Sequence, residues 1–284
     1  MRVLISGYSG LVGTELAKQL RALGHEPVKL ERTKPLSGDD LNDIDAVVNL
    51  AGATTGKLPW TKNYKRELIA SRLETTQKLV DAINSSSNPP KVFVSGSASG
   101  FYGDSGDRIL TEADGKGTGF LSDLASQWEA RALEAKTRVV LIRTTMVMSR
   151  QLGALGRLLP LIKLGIGGAL GSGKQWWAWI SLPDEARAII HLINTESATG
   201  PFNLTAPEAA TCGQIVRSLG EKLHRPTLLK VPAFALRLML GEAADELLLT
   251  SQKMSAQKLI ASGFAFKHPT LDSACDWVTK NPTD

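Results

Sequence analysis

Short apolar runs alternate with longer amphipathic segments through the first half of the chain. The first run, over residues 1–6, is apolar and β-branched, and an amphipathic segment follows it within a few residues. Similar runs of strand length recur, separated by helix-length segments with one apolar side. The later predicted strands cover 27–30, 45–50, 91–95 and 138–143, and the predicted helices cover 64–84 and 122–134. This alternation predicts an α/β fold, a doubly wound parallel sheet with helices on both faces.

The turn between the first strand and the first helix carries a clear chemical signal. It reads Gly7, Tyr8, Ser9, Gly10, Leu11, Val12 and Gly13. Glycines permit positive φ angles, close approach of the backbone to a pyrophosphate and tight packing of helix on strand. The N-terminus of the following helix offers free N–H groups to phosphates. Glycines at this place between a strand and a helix predict a Rossmann-type dinucleotide site.

The end of the second strand gives opposing signals about the adenine ribose. Glu31 has the carboxylate that suits a ribose 2′-hydroxyl, as in NAD. Arg32 has the planar fork that pairs with a 2′-phosphate, as in NADP, and Thr33 and Lys34 add to that signal. We therefore expect NADP(H), with NAD(H) as the alternative.

The pattern changes from about residue 150. Glycines are frequent over 153–173, a cluster of tryptophans follows over 176–179, and further helices are predicted over 211–223, 232–240, 255–262 and 271–279. This helical tail is too small for an independent domain. We expect a dinucleotide-binding domain over 1–150, to which later segments return. Residues 151–284 then form a small substrate lobe with a helical extension, packed over the carboxyl edge of the sheet.

Composition narrows the classes of function. The chain has 284 residues, of which 43% are hydrophobic and 21% charged, and a formal net charge of +5. No basic run is interleaved with aromatic residues, so no nucleic-acid partner is expected. The apolar stretches are too short for a membrane span and no leader is recognised. Cys212 and Cys275 lie far apart, which is typical of a reducing compartment, and the four histidines form no ligand cluster. We therefore expect a cytoplasmic protein without a metal or a membrane partner.

Several motifs resemble those of the extended short-chain dehydrogenase/reductases. The shared motifs are Gly7-x-x-Gly10-x-x-Gly13, Asn49-Leu50-Ala51-Gly52, the serine-rich stretch 97–103 and Asn203-Leu204-Thr205. More narrowly, the chain resembles an atypical branch labelled sugar-nucleotide epimerase-like and historically called cell-division inhibitor. The motifs of that branch are Ile69-Ala70-Ser71-Arg72, Gln127-Trp128-Glu129, Gly171-Ser172-Gly173-Lys174-Gln175-Trp176 and an extension over 231–278. The resemblance covers nearly the whole chain.

The chain departs from this family at the catalytic pair. Ordinary members carry Tyr-x-x-x-Lys on the helix that here contains Glu129, where the phenol exchanges a proton with substrate and the lysine lowers its pKa. The corresponding positions hold Leu121 and Ala125, which cannot transfer a proton. No tyrosine elsewhere is followed by a lysine four residues later. The family's proton-transfer mechanism therefore does not carry over to this chain.

Substitute groups are expected at the carboxyl edge of the sheet. Ser97, after the fourth strand, and Tyr102, on the same loop, are the candidate catalytic residues, although Tyr102 is equally consistent with a packed aromatic. Glu67 and Arg72 resemble cofactor-contacting positions of the branch, with a helix-surface pair as the alternative. Arg143 ends the fifth strand, where an arginine suits a phosphate, an amide or an edge salt bridge.

The resemblance also implies that the cofactor lies against Leu50, Ala51 and Gly52 and that the chain forms a homodimer through the helices after the third and fourth strands. The stretch 165–179 is expected to line the substrate pocket, with lobe core as the alternative. Two functions remain open. One is an NADP(H)-dependent oxidoreductase or epimerase acting on a small carbonyl or sugar-nucleotide-like substrate. The other is a non-catalytic dinucleotide-sensing regulator or scaffold, which the lost catalytic pair favours.

Overall fold

A six-stranded parallel sheet forms the centre of the computed structural model, which describes residues 1–31, 34–150 and 153–280. The strands are β1 (Arg2–Ser6), β2 (Glu26–Lys29), β3 (Ala46–Asn49), β4 (Val92–Ala98), β5 (Ile109–Leu110), β6 (Arg138–Thr144), β7 (Met146–Met148), β8 (Trp179–Ser181), β9 (Gly200–Leu204) and β10 (Lys253–Met254). The central sheet has the order β2-β1-β3-β4-β6-β9. The chain reverses its direction of winding between β1 and β3, and ligands of such sheets bind outside the strand ends at that point.

Helices cover both faces of this sheet. They are α1 (Leu11–Ala22), α2 (Lys62–Ser85), α3 (Phe120–Ala132), α4 (Gly153–Lys163), α5 (Leu182–Asn194), α6 (Cys212–Lys222), α7 (Ala233–Leu240), α8 (Glu242–Ala244), α9 (Gln257–Ala261) and α10 (Leu271–Thr279). On one face α1 and α5 bury their apolar sides against β1, β3, β4 and β6, and on the other face α2 does so with the end of α3. The β-branched strand residues alternate between these two cores because successive side chains point to opposite faces. The predicted doubly wound α/β fold is confirmed.

Local sequence signals explain where several helices begin. The Thr61 hydroxyl accepts a hydrogen bond from the Tyr64 N–H at 3.1 Å and starts α2. Ser181 caps α5 in the same way through the Asp184 N–H at 3.3 Å. These caps satisfy backbone donors that have no partner within the helix. Helix α1 differs, because it begins at Leu11 after Gly10, which has no side chain to cap it.

The C-terminal half forms a second core and also returns to the sheet. Helices α4, α6 and α10 enclose Trp177 and Trp179 in a separate apolar cluster. The tail does not cover the carboxyl edge alone, since Leu259 and Phe264 of its middle part join the core between α5 and the sheet. No helix in the described part of the chain is long and apolar enough to cross a bilayer.

Candidate functional site

The glycine turn is held in a space that only glycine can occupy. Gly7 has a φ of +82°, and a Cβ there would lie 2.7 Å from the carbonyl carbon of Leu50. A Cβ at Gly13 would lie 2.3 Å from the Gly7 carbonyl oxygen. The N–H of Gly10 donates to that same oxygen at 3.0 Å and closes the turn. The segment 50–52 and the glycine turn are therefore in direct contact.

The N-terminus of α1 is prepared for an anion. Its cap residue, Gly10, contributes no side-chain hydrogen bond, and its first turn contains no acidic residue. Ser9 and Gly10 are exposed, and the hydroxyl of Tyr8 accepts a hydrogen bond from Arg21, which fixes the ring beside the turn. Unpaired N–H groups and the positive end of the helix dipole together favour a phosphate. The residues present therefore fit the pyrophosphate of a dinucleotide.

Arg72 brings the long helix α2 to the same edge. Its guanidinium donates to the carbonyl oxygens of Leu68 at 3.0 Å and Ala53 at 3.2 Å. A Cβ at Gly52 would lie 2.9 Å from the Arg72 Cζ, so Gly52 gives this cation room beside the end of β3. Glu67 is exposed on α2, and within the described structure it does not form the alternative ion pair with Arg72. The roles of both side chains toward a cofactor stay predictions.

The predicted ribose end of the site is only partly described. Glu31 is exposed, and its carboxylate pairs with the Lys34 ammonium at 3.0 Å. Arg32 lies outside the described residues. The pairing with Lys34 partly offsets the charge by which Glu31 would repel a 2′-phosphate.

A buried polar network joins the ends of β4 and β6 to α3. The Ser97 hydroxyl donates to Glu129 Oε1 at 2.6 Å. Arg143 donates to both oxygens of the same carboxylate, through Nε at 2.8 Å and Nη2 at 2.9 Å. All three side chains are buried, and bidentate pairing is the strong form of this interaction.

Tyr102 extends the network toward β9. Its hydroxyl accepts from Arg143 Nη1 at 2.8 Å and donates to Asn203 Oδ1 at 2.7 Å. The side chain is 2% exposed, and burial raises the pKa of Tyr102 to about 12. The phenol therefore keeps its proton at neutral pH.

The structure thus brings Ser97, Tyr102 and Arg143 together, but they are joined by hydrogen bonds to one another and to Glu129. Each of the three has its hydrogen-bonding groups engaged inside the protein. An engaged and buried group transfers protons to a ligand only after it exchanges partners. The catalytic roles of Ser97 and Tyr102 and the cofactor role of Arg143 stay predictions.

Sequence reasoning did not single out Glu129 and Asn203 as site residues. The sequence offered a signal for Glu129, because it follows Ala125 by four positions and so shares the buried side of α3. Asn203 lies in a predicted family motif, but its partners come from distant segments. Its amide donates to the carbonyl oxygens of Leu110 and Ser255, both at 3.3 Å.

Apolar packing takes the place of the lost catalytic pair on α3. A Cβ at Gly100 would lie 3.0 Å from the Leu121 Cβ, so this leucine packs on the loop after β4. Ala125 is buried in a small cluster with Phe101, Tyr102, Leu110 and Met254. Neither position presents a polar group.

The C-terminal extension reaches the N-terminus of α3 beside Leu121. The Glu246 carboxylate accepts the N–H groups of Phe120 at 2.9 Å and Leu121 at 3.0 Å. Lys65 of α2 pairs with Glu242 at 2.8 Å. The extension therefore ties together the two helices that flank the carboxyl edge of β3 and β4.

The predicted pocket stretch 165–179 is in part lobe core. Trp177 and Trp179 are buried in the lobe cluster. The Gln175 amide donates to the carbonyl oxygens of Leu170 at 3.0 Å and Leu248 at 2.9 Å, which binds the stretch to the C-terminal extension. Lys174 is exposed and Trp176 is partly exposed. Trp177 and Trp179 are therefore part of the core of the lobe, which was the alternative to a place in the pocket wall.

Glu185 is a further titratable group that the sequence did not indicate. It lies in the first turn of α5, is 0% exposed, and accepts a hydrogen bond from Thr144 at the end of β6 at 2.7 Å. Its second oxygen, Oε2, has no hydrogen-bond partner among the described residues. Burial raises the pKa of Glu185 to about 8, so the group is largely protonated at neutral pH.

Comparison with known proteins agrees with this arrangement. The profile of the NAD dependent epimerase/dehydratase family matches residues 3–204, and that of a domain of unknown function, DUF1731, matches residues 231–278. An epimerase family protein of Mycobacterium leprae is 38% identical over 298 residues, covering 99% of this chain and 96% of the relative.

Two solved structures are also similar. The crystal structure of the human epimerase family protein SDR39U1 (isoform 2) with NADPH has a TM-score of 0.93 and 32% identity, covering 99% of this chain and 100% of that one. The nucleoside-diphosphate sugar epimerase of Corynebacterium glutamicum has a TM-score of 0.77 and 29% identity, covering 96% of this chain and 57% of that one. The resemblance inferred from the motifs is confirmed, and the chain belongs to the NAD dependent epimerase/dehydratase family.

Proposed function

We propose that this protein binds NADP(H) and acts as an epimerase-like oxidoreductase on a small carbonyl or sugar-nucleotide-like substrate. The observation that carries the proposal is the glycine turn at the point where the sheet reverses its winding, followed by α1, whose first turn has no side-chain cap and no acidic residue. A bound nicotinamide supplies hydride transfer, and the protein supplies position and electrostatics. The similar human protein was crystallised with NADPH, which supports the cofactor.

The chain's own residues divide into two groups in this proposal. The turn 7–13 binds the pyrophosphate, and the segment 50–52 with Arg72 forms the adjoining wall. Ser97, Glu129 and Arg143 keep the ends of β4 and β6 in a fixed arrangement, on which a substrate oxygen is oriented. Proton exchange then involves Ser97, Tyr102 or water, since Leu121 and Ala125 exchange none.

A non-catalytic dinucleotide sensor is the second candidate. The observation that favours it is the apolar packing of Leu121 and Ala125, together with the full engagement of Tyr102. A sensor requires that cofactor and partner change each other's affinity by the same factor. An enzyme has no such requirement.

Cofactor choice is tested by thermal-shift titration with NADPH, NADP+, NADH and NAD+. A ligand that binds only the folded state raises the melting temperature by mass action. Arg32→Ala should weaken NADPH binding by about tenfold or more, since a charge-assisted phosphate contact is lost, and should leave NADH unchanged. Arg108→Ala removes an exposed arginine elsewhere and should change neither affinity. Equal losses for NADPH and NADH would overturn the assignment of Arg32.

The two functions are separated by turnover. Purified protein is incubated with NADPH or NADP+ and a panel of carbonyl compounds and nucleotide sugars, and absorbance at the nicotinamide band and sugar isomers are followed. Tyr102→Phe should abolish turnover with cofactor binding retained if the tyrosine exchanges the proton. Cofactor binding without turnover on the panel would favour the sensor.

A further inference from the structure

Large apolar side chains are exposed together on one side of the lobe. Eight of the thirteen large hydrophobic residues that are exposed in the described structure fall within 161–166 and 228–239. They are Leu161, Leu164, Ile166, Leu228, Leu229, Phe234, Leu238 and Met239, which we call the apolar patch. Scattered exposed hydrophobic residues need no explanation, but a concentration of this kind marks an interaction site.

The two segments of the apolar patch lie side by side. Gly168 pairs with Leu228 in an antiparallel bridge, and Leu170 pairs with Val231. Arg225 Nε donates to the carbonyl oxygen of Lys163 at 2.8 Å. The end of α4 and the strand-like segment before α7 therefore form one continuous surface.

Helix α7 presents more apolar surface to solvent than to the protein. Leu236 is its buried residue, whereas Phe234 and Leu238 lie one turn apart on the outer side, with Leu238 86% exposed. Leu228, just before the helix, is also 86% exposed. A helix of a globular protein normally turns its apolar side inward. The apolar side of this helix faces outward, and no residue of the described structure covers it.

The surroundings of the apolar patch are basic. The sequences 151–183 and 222–241, which contain the patch, have seven lysines and arginines and no aspartate or glutamate, and two of the seven, Lys222 and Arg237, form ion pairs with residues outside these ranges. Lys163, Arg225 and Lys230 are exposed at its edge, and among the described residues none of these three forms an ion pair. An exposed apolar surface with a cationic edge is complementary to an anionic amphiphile.

We propose, in place of the sequence-based expectation of no membrane partner, that the apolar patch docks this protein on a bilayer surface that contains anionic phospholipids. The apolar side chains enter the boundary between headgroups and acyl chains, and Lys163, Arg225 and Lys230 meet the lipid phosphates. A second copy of the chain fits the surface less well. A two-fold contact through the patch brings the cations of both copies to one interface without anionic partners from the patch, and like charges oppose such a contact.

The test is vesicle flotation of the full chain, with and without NADPH. Vesicles of pure phosphatidylcholine are compared with vesicles of equal parts phosphatidylcholine and phosphatidylglycerol. We expect flotation with the anionic vesicles, little with the neutral ones, and a decrease as salt is raised, because salt screens the contacts. Dinucleotide should not be required, so the result is independent of the proposed function.

Matched variants locate the contact. The double variant Leu228→Ser, Leu238→Ser should lower the apparent affinity for anionic vesicles at least about tenfold, since each leucine loses its apolar burial. Leu23→Ser, Leu133→Ser changes two leucines that are exposed outside the patch and should have no effect. Lys163→Gln, Lys230→Gln should lower the affinity about fivefold per lysine. The control Lys18→Gln, Lys78→Gln also removes two exposed lysines and should leave it unchanged.

The oligomeric state is measured on the same samples by light scattering. A wild-type dimer that ignores vesicles and becomes a monomer in the Leu228→Ser, Leu238→Ser variant would overturn the proposal in favour of a second copy. A monomer that floats with neither kind of vesicle would also overturn it. Equal flotation of the patch variant and its control would show that lipid binds elsewhere and would reject the patch.

Discussion

Glu185 places a titratable carboxyl inside the core, and this makes stability depend on pH. The ordinary pKa of 4.5 is raised to about 8 by burial. Between these two values the unfolded chain has released its proton while the folded protein still holds it. The stability that Glu185 contributes is therefore fully present below about pH 4.5 and is lost as pH rises toward 8, by up to about 1.4 kcal/mol per pH unit.

We expect Glu185→Gln to remove this dependence. The amide oxygen still accepts the hydrogen bond of Thr144, and the side chain no longer titrates. The melting temperature of the variant relative to wild type should therefore rise as pH increases from about 5 to 8. Glu74→Gln, at an exposed position of α2, serves as the control. A difference between Glu185→Gln and wild type that is constant across this range would show that Glu185 titrates normally.

The glycine turn allows a second comparison between single residues. Gly7 and Gly24 both have positive φ angles, of +82° and +74°. A Cβ at Gly7 meets the backbone of Leu50, whereas one at Gly24 meets nothing within 4 Å. Both alanine variants should lose about 1–2 kcal/mol of stability from the left-handed backbone. Gly7→Ala should in addition weaken dinucleotide binding at least about tenfold, as measured by titration calorimetry, because the turn has to move. Equal dinucleotide affinities of the two variants would show that the turn is not part of the binding site.

Prediction from sequence is confirmed for residues whose local structure is set by their neighbours in the chain. The glycines 7–13 are of this kind, because strand, turn and helix follow one another directly. Glu129, Glu185 and Asn203 are different. Each acquires its partner from a segment between 14 and 101 positions away, and no local pattern contains that pairing.

At the scale of elements, helix α3 is seated on strand β4 through a glycine. A Cβ at Gly96 would lie 2.6 Å from Cη2 of Trp128, while the indole Nε1 donates to Thr76 Oγ1 at 2.9 Å. The indole thus contacts both strand β4 and helix α2. This contact fixes how near α3 approaches the ends of β4 and β6, where the polar network lies.

Gly96→Ala should destabilise the protein by about 1–3 kcal/mol, because the core at this contact has no room for a methyl group. The loss should be smaller by at least about 1 kcal/mol in a Trp128→Phe background, since phenylalanine lacks the two ring atoms that would clash. Chemical denaturation of the four proteins measures this coupling. Gly115→Ala, where a Cβ would meet nothing within 4 Å, is the control. Additive losses would mean that α3 does not rest on Gly96.

Elements were predicted well where apolar periodicity is strong. Helix α2 was expected over 64–84 and covers Lys62–Ser85. Strand β4 extends beyond its predicted end because Gly96 and Ser97 continue its pairing with β6, although neither residue favours strands on its own. The surface that the tail covers could not be predicted from the sequence, because an apolar pattern predicts helices but not which part of the protein they pack against.

At the scale of the whole molecule, Asp184 joins the C-terminal tail to the domain that carries the glycine turn. It is fully buried at the start of α5, and its carboxylate accepts the backbone N–H groups of Lys267 and His268, each at 2.8 Å. It also accepts from Ser181 Oγ at 3.0 Å and Arg187 Nη1 at 2.8 Å. Since α5 packs on α1, one side chain connects the tail to the helix that follows the glycine turn.

Asp184→Asn keeps the size of the side chain but replaces one carboxylate oxygen by an NH₂ group. This NH₂ group cannot accept a hydrogen bond from the backbone N–H groups of the tail. Two backbone N–H groups then compete for one remaining oxygen, and leaving a buried donor without a partner is unfavourable by about 1–3 kcal/mol. We expect amides over 262–270 to exchange hydrogen at least about tenfold faster by mass spectrometry, while β1 and β3 stay protected. Asp276→Asn, which weakens a more exposed contact between α10 and α6, should leave 262–270 unchanged. If tail and sheet lose protection together in Asp184→Asn, the tail is part of a single cooperative unit with the sheet, and this aspartate supports the whole fold rather than an attachment that opens by itself.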